Sequence, residues 1–227
     1  RLNSELKARH SSLTVVFFIV SRRDGARISR QCLQSSGVMR ELEDTCQAIT
    51  RDVGPRFFNA VTTGDAPSLD GLVSDYWRLR LRRTTHAWRR RGLPPVITHD
   101  VEGPDPVLEY IRALWLDNSP DHPVKVVYHP EFITPANPLW KMEYDQFVRG
   151  CHLGVFPSVY EPWGYTPLEC LASGIPSVSS DLAGFGRYVM SHFPDHNDWG
   201  AYVIRRRGRQ PAQAAADQPQ QHGHLGG

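Results

Sequence analysis

Cysteine, long apolar stretches and surplus charge are all scarce in this chain, and each shortage removes a class of protein. Its 227 residues hold 4 cysteines, Cys32, Cys46, Cys151 and Cys170, with no C-x-x-C pair and no metal-ligand spacing. Unpaired thiols in a reducing compartment are therefore expected, and we read the location as cytoplasmic. The longest apolar run, Leu13 to Val20, is broken by Thr14 and is far too short to span a bilayer. No signal-peptide pattern is visible. Lys and Arg number 26 against 24 for Asp and Glu, and the resulting net charge of +2 argues against a dedicated nucleic-acid binder. No internal repeat is evident. What is present suffices for one large domain or two small ones with a sizeable core.

The two ends read differently from the middle. Arg1 is not an initiator methionine, and Arg1-Leu2-Asn3-Ser4-Glu5-Leu6-Lys7 resembles the tail of a helix already under way, so a preceding segment is expected. Arg205-Arg206-Arg207-Gly208-Arg209 passes into Gln, Ala, Pro and Gly with almost no large apolar residue. A folded domain over 1–208 and a disordered tail over 209–227 are expected.

Thr14 to Val20 reads as a buried strand of the continuous, β-branched and aromatic kind found in parallel sheets. Val38, Leu42, Cys46, Ile49, Val53 and Phe57 recur every three or four residues, which predicts a long helix with a narrow pairing seam. A second helix is predicted from about Ser68 to Arg91, carrying Arg78, Arg80, Arg82, Arg83, Arg89, Arg90 and Arg91. That run lacks the glycine and aromatic interleaving of an RNA module and reads as a solvated or subunit-facing surface. Further on come a short strand at 96–98, a helix over 107–116, a strand over 124–128 and a short helix over 144–149. Strand and helix thus alternate from about residue 94, the signature of βαβ units, with a helical insertion over about 38–93.

The most informative stretch is Glu161-Pro162-Trp163-Gly164-Tyr165-Thr166-Pro167-Leu168-Glu169-Cys170. Upstream, 153–158 reads as a strand; downstream, Gly174 stops a helix before a second strand at 175–178. Open α/β sheets bind ligands at the carboxyl ends of their strands, where the amides of a helix start hold phosphate. Gly164, lacking Cβ, lets backbone approach a ligand, so the Gly164, Tyr165 and Thr166 amides can face a diphosphate. Glu161 then sits in the loop beside it, able to accept from sugar hydroxyls and to stabilise positive charge at a sugar carbon. Glu169, a turn into the helix, is placed to reach a ribose diol. Helix punctuation competes for part of this: Thr166-Pro167-Leu168-Glu169 also fits a capping box with proline at the first helical position. Capping does not account for Glu161, Trp163 or Gly164.

Together with Tyr144-Asp145-Gln146-Phe147-Val148-Arg149-Gly150-Cys151-His152-Leu153-Gly154-Val155-Phe156-Pro157-Ser158, this motif resembles the nucleotide-sugar half of a eukaryotic-type glycogen synthase, a member of glycosyltransferase family 3. Pro94-Pro95-Val96-Ile97-Thr98-His99, His129-Pro130-Glu131-Phe132 and Gly184-Phe185-Gly186 agree with it, and the resemblance runs from Arg1 to about Arg207. It implies an α/β fold, a Rossmann-like parallel sheet forming the C-terminal half of a two-domain transferase of the GT-B type. It implies retaining transfer of glucose from UDP-glucose to the nonreducing end of an α-1,4-glucan, without metal or cofactor. The absence of any D-x-D pair is consistent with that. Carried over residue by residue, Glu161 is the catalytic carboxylate at the donor glucose. Glu169 binds the ribose, Trp163, Gly164, Tyr165 and Thr166 line the diphosphate and glucose pocket, and Tyr144 stacks on uracil; His152 is a further substrate contact.

The same resemblance gives the inserted helices a role in pairing subunits, so a homo-oligomer is expected, with neither nucleic acid nor membrane as partner. In the family an Arg and a Lys that neutralise the UDP phosphates precede the segment beginning here at Arg1, and the acceptor-side domain precedes them. Weak or absent turnover by this chain alone is therefore expected. The rival reading is a noncatalytic oligomerisation module. His192 and His196 stand at i and i+4, but Pro194 breaks the helix between them, and no metal site is expected.

Overall fold

The computed structural model describes residues 1–9, 12–64, 69–89 and 93–207. The expected tail over 209–227 lies outside these residues, as do Arg90 and Arg91. The fold is α/β with parallel sheets, and the chain divides into two compact units, Arg1–Lys141 and a second from Met142 onward.

The first unit runs α1 (Leu2–Ala8), β1 (Val15–Val20), β2 (Arg27–Ile28), α2 (Arg30–Thr62), α3 (Leu69–Leu72), α4 (Asp75–Arg89), β3 (His99–Asp100), α5 (Pro106–Ala113) and β4 (Val124–His129). β1 and β4 pair in parallel from Val15 opposite Val124 to Val20 opposite His129, and Ile97 adds a parallel bridge to Tyr128. β2 and β3 form a two-residue antiparallel ladder that the apolar pattern did not signal. Ile111, Val126 and Tyr128 make the buried core, with Ile19, Val96, Ile97, Val107 and Leu116 packed against them. Asp105 ties this core together. It caps α5 through the Leu108 amide at 2.9 Å, accepts the Tyr128 hydroxyl at 3.0 Å and pairs with Arg23. Burial alone would raise its carboxyl, but these three donors outweigh burial and hold it below the usual carboxylate range.

Two expectations change here. β1 was expected to be buried, yet Val16, Phe17 and Phe18 are 41 to 45% exposed, because among the described residues β1 pairs with β4 alone and forms a sheet edge. β4, flanked by β1 and by the 96–98 segment, is the buried strand. The helix predicted over 68–91 is broken: α3 ends at Leu72 and α4 begins at Asp75. The long helix with the Val38 to Phe57 seam exists as α2, which packs on α4. Asp52 joins them, accepting the Trp77 indole N–H at 3.1 Å and the Arg56 guanidinium at 2.7 Å.

The second unit runs α6 (Tyr144–Arg149), β5 (Gly154–Val155), α7 (Tyr165–Ala172), β6 (Ser177–Ser180), α8 (Gly184–His192) and β7 (Ala201–Ile204). The three strands form one parallel sheet in the order β5-β6-β7, so α7 and α8 are the two crossovers. Its core joins Phe185, Val189 and Ala201 to Trp163, Leu171 and Val203.

Candidate active site

At the carboxyl end of β5 the chain runs out over residues 156–164 before entering α7, and backbone pairing holds this loop against β6 and α8. The Ser180 hydroxyl donates to the Ser158 carbonyl at 2.7 Å, and the Arg206 guanidinium to the Pro157 carbonyl at 3.0 Å. The Gly184 amide donates to the Glu161 carbonyl at 3.0 Å, and the Phe185 amide to that of Trp163 at 2.7 Å. Such closeness needs glycine on one side. A Cβ on Gly184 would fall 2.0 Å from the Pro162 oxygen, and one on Gly186 2.2 Å from the Ser180 oxygen. The Trp163 ring then lies between Phe185, with centroids 6.1 Å apart, and Tyr188, at 5.4 Å.

The pinned loop delivers the Glu161 carboxylate to the start of α7. The Ser158 hydroxyl donates to its Oε2 at 2.8 Å, and a Cβ on Gly164 would lie 3.1 Å from that oxygen. Gly164 is buried, has φ of +95° and is the residue preceding the first helical turn. A carboxylate there faces the positive end of the helix dipole. The capping-box reading fails: α7 begins at Tyr165, so Thr166 and Pro167 are its second and third residues, and no side chain among the described residues caps it. Pro167 is tolerated because first-turn N–H groups have no helical partner.

Around this point Tyr165 is exposed, Thr166 half-buried, and Glu169 exposed on α7. Tyr144 opens α6, where the Gln146 side-chain oxygen accepts the Glu143 amide at 3.0 Å. Burial pushes the Tyr144 hydroxyl up, and Cys170, Glu169 and Cys151 nearby push it further, so Tyr144 and Glu169 share a neighbourhood. Glu161, Gly164, Tyr165, Thr166 and Glu169 are thus gathered on one loop and helix, with Tyr144 beside Glu169 and Trp163 packed behind the loop. His152 is exposed at the amino end of β5, the end opposite the loop. Cys170 is packed beneath, its sulfur 2.8 Å from where a Gly154 Cβ would stand, and burial raises its thiol; it is a core side chain rather than a nucleophile.

Three residues that build the site were not singled out from the sequence: Ser158, Ser180 and Asp181. Asp181 accepts the Arg206 amide at 2.7 Å and the Arg207 amide at 3.2 Å. Burial acts to raise its carboxyl, and the two amides with the Arg207 charge reverse that and lower it. The Ser180 hydroxyl and the Asp181 carboxylate carry no spacing signal, since their partners lie 22 to 26 positions away, whereas the Ser158 hydroxyl is only three positions from Glu161.

A family model described as glycogen synthase matches residues 1–222. The glycogen (starch) synthase of Caenorhabditis elegans is 43% identical over 212 residues, covering 91% of this chain and 32% of that protein. The Neurospora crassa enzyme of the same name is 41% identical, covering 92% and 30%, and the human liver form is 38% identical, covering 93% and 30%. Among solved structures, a trehalose-6-phosphate synthase, OtsA, covers 97% of this chain and 38% of its own at 14% identity and a TM-score of 0.29, too slight a likeness to bear on fold or function. The chain belongs to the glycogen synthase family. It spans about a third of the length of the curated relatives it matches.

Proposed function

We propose that the loop from Ser158 to Gly164 and the start of α7 form the donor side of a retaining glycosyltransferase site, taking UDP-glucose and extending the nonreducing end of an α-1,4-glucan. The observation that carries this is the Glu161 carboxylate held against the Gly164 backbone, beside an uncapped helix start, with Glu169 exposed one turn on. In this reading the amides of Gly164, Tyr165 and Thr166 receive the diphosphate. Glu169 accepts the ribose hydroxyls, and Tyr144 and Trp163 bound the pocket. His152 stays a proposed contact of lower weight, given its place at the far end of β5.

Retaining glycosidases place a carboxylate nucleophile about 5 to 5.5 Å from the acid, but here the second carboxylate, Glu169, serves the nucleoside. The acceptor hydroxyl therefore attacks the anomeric carbon from the face that UDP leaves. The C–O bond to UDP breaks as the new one forms, and the hydroxyl proton passes to the departing phosphate. Glu161 stabilises the positive charge that develops on the sugar. Release of UDP from UDP-glucose with added glycogen tests the reading. Turnover, weak in this chain alone, is expected to fall about a hundredfold in Glu161→Gln; unchanged turnover would remove the role given to Glu161.

A second reading, a noncatalytic oligomerisation module, is favoured by one observation. The α2 and α4 pair leaves Phe57, Phe58 and Val61 of α2 and Tyr76 and Leu79 of α4 46 to 67% exposed, which suits pairing with another copy. Sedimentation that shows an oligomer, together with no UDP-glucose binding by titration, would favour the module over the transferase.

A further inference from the structure

We propose that Arg206, anchored by Asp181, is a positioning residue: acting through Ser158, it aims the Glu161 carboxylate and so sets how the glucose of a UDP-linked donor is recognised. This role rests on the donor-site reading of Glu161 and extends it to Asp181 and Arg206, which follow β6 and β7.

The path starts at a buried carboxylate. Asp181 is 8% exposed, and its amide donates to the Ile204 carbonyl at 3.1 Å. Its carboxylate accepts the Arg206 amide at 2.7 Å and the Arg207 amide at 3.2 Å. Burying a carboxylate is costly unless donors meet it, and these donors come from the basic stretch after β7. The chain is clipped in this way where it leaves the sheet. From the clip the Arg206 guanidinium reaches across the end of β6 to the segment after β5. There Nη1 donates to the Pro157 carbonyl at 3.0 Å and, more weakly, to the Ser158 carbonyl at 3.5 Å. The Ser180 hydroxyl donates to the same Ser158 carbonyl at 2.7 Å.

With its carbonyl held from two sides, Ser158 turns its hydroxyl to Glu161, donating to Oε2 at 2.8 Å. Among the described residues the other oxygen, Oε1, accepts nothing. A carboxylate with one oxygen held and the other open presents an acceptor in a fixed direction, which is what a sugar hydroxyl requires. The main chain of Glu161 is fixed separately, its carbonyl accepting the Gly184 amide at 3.0 Å. The two sets of contacts have different effects. The start of α8 places the Glu161 backbone, whereas Asp181, Arg206 and Ser158 select its side-chain rotamer. Without the Ser158 hydroxyl no hydrogen bond among the described residues makes that selection.

Carboxyl-carbon NMR and titration calorimetry on the full chain, with UDP-glucose and UDP as probes, test this. Arg206→Gln and Ser158→Ala should each move the Glu161 Cδ resonance and leave that of Glu169 in place. Each should weaken UDP-glucose binding about tenfold and UDP binding less than about twofold, because UDP lacks the glucose that Glu161 faces. Arg206→Lys keeps a charged donor and should recover most of the UDP-glucose affinity. Hydrogen exchange at the Gly184 amide should stay at the wild-type rate, since that contact does not pass through Arg206. An unmoved Glu161 resonance in Arg206→Gln would overturn the proposal. So would equal weakening of UDP and UDP-glucose with faster Gly184 exchange, which would mean that Arg206 only keeps the loop folded. If instead Glu161→Gln binds UDP-glucose like the wild type while Arg206→Gln still moves the Glu161 resonance, the donor-site reading falls and the path from Arg206 to Glu161 stands.

Discussion

Each unit presents a carboxylate at the carboxyl end of a parallel strand, but by opposite means. In the first, Glu131 after β4 is held by side chains: histidines, a threonine and an asparagine pass hydrogen bonds toward it from the core. In the second, Glu161 after β5 is held by backbone, its loop bound to Gly184 and Phe185 where two glycines admit carbonyl oxygens that any side chain would exclude. A side-chain scaffold is open to tuning by pH and by single polar substitutions. A backbone scaffold is less open to both, with side chains such as Ser180 only bracing it, and is intolerant of one added methyl group. The two units should therefore fail under different perturbations.

The largest effect is expected on the backbone side. Gly184→Ala places a methyl 2.0 Å from the Pro162 oxygen, a contact that no rotamer relieves because Cβ has none. A loss of at least about 3 kcal/mol is expected in urea unfolding. Gly25→Ala in the first unit is the matched control. Its φ is +77° but its Cβ meets nothing within 4 Å among the described residues, so only the conformational strain of about 1 to 2 kcal/mol should appear. Equal losses would mean that close approach contributes nothing at Gly184.

Next comes the side-chain scaffold. Thr98→Ala removes the hydroxyl that joins two buried imidazoles, leaving the His129 Nδ1–H without an acceptor, and should cost about 2 to 3 kcal/mol, with Thr98→Ser recovering most of it. The pH dependence follows from His129, whose pKa is lowered to about 4 from an ordinary 6.5. Between those values the unfolded chain binds the proton and the folded chain does not, so this contribution is full above 6.5 and is lost as pH falls toward 4. The slope is at most about 1.4 kcal/mol per pH unit. Unfolding curves from pH 7.5 to 4.5 check it, and His129→Gln should flatten the slope.

How far the sequence foretold this differs between the two scaffolds. The order of strands and helices from Val124 onward, the start of α6 at Tyr144 and the grouping of Glu161 with Gly164 and Glu169 follow from local pattern, because each depends on neighbours within a helical turn or two. The exposure of β1 could not be read, since Val15 to Val20 has the composition of a central strand and only pairing reveals an edge. The break between α3 and α4 falls at Val73-Ser74, marked only by Gly71 just before it and by Ser74 at the start of α4, signals that the apolar spacing across them outweighed. The histidine chain was visible only as His99 and His129 following two predicted strands. What joins them is Thr98, 31 positions from His129, and no periodicity reports a contact of that span.

The smallest effect sharpens the comparison, because it sets satisfied hydroxyls against unsatisfied ones within a single strand. Ser177, Ser179 and Ser180 of β6 are all buried, at 1, 2 and 0% exposure. Ser180 donates to the Ser158 carbonyl and so braces the Glu161 loop. The Ser177 and Ser179 hydroxyl oxygens are buried with no hydrogen-bond partner among the described residues. A buried hydroxyl without a partner retains its desolvation cost, whereas one that is bonded recovers it. Ser179→Ala should therefore stabilise the second unit by about 1 kcal/mol, and Ser180→Ala should destabilise it by a similar amount. The two substitutions delete the same atom from adjacent residues, so strand propensity and volume nearly cancel between them. The sign of the difference in unfolding midpoint then reports hydrogen bonding alone. If Ser179→Ala also destabilises, its hydroxyl has a partner, and the contrast with Thr98 in the first unit is one of degree only.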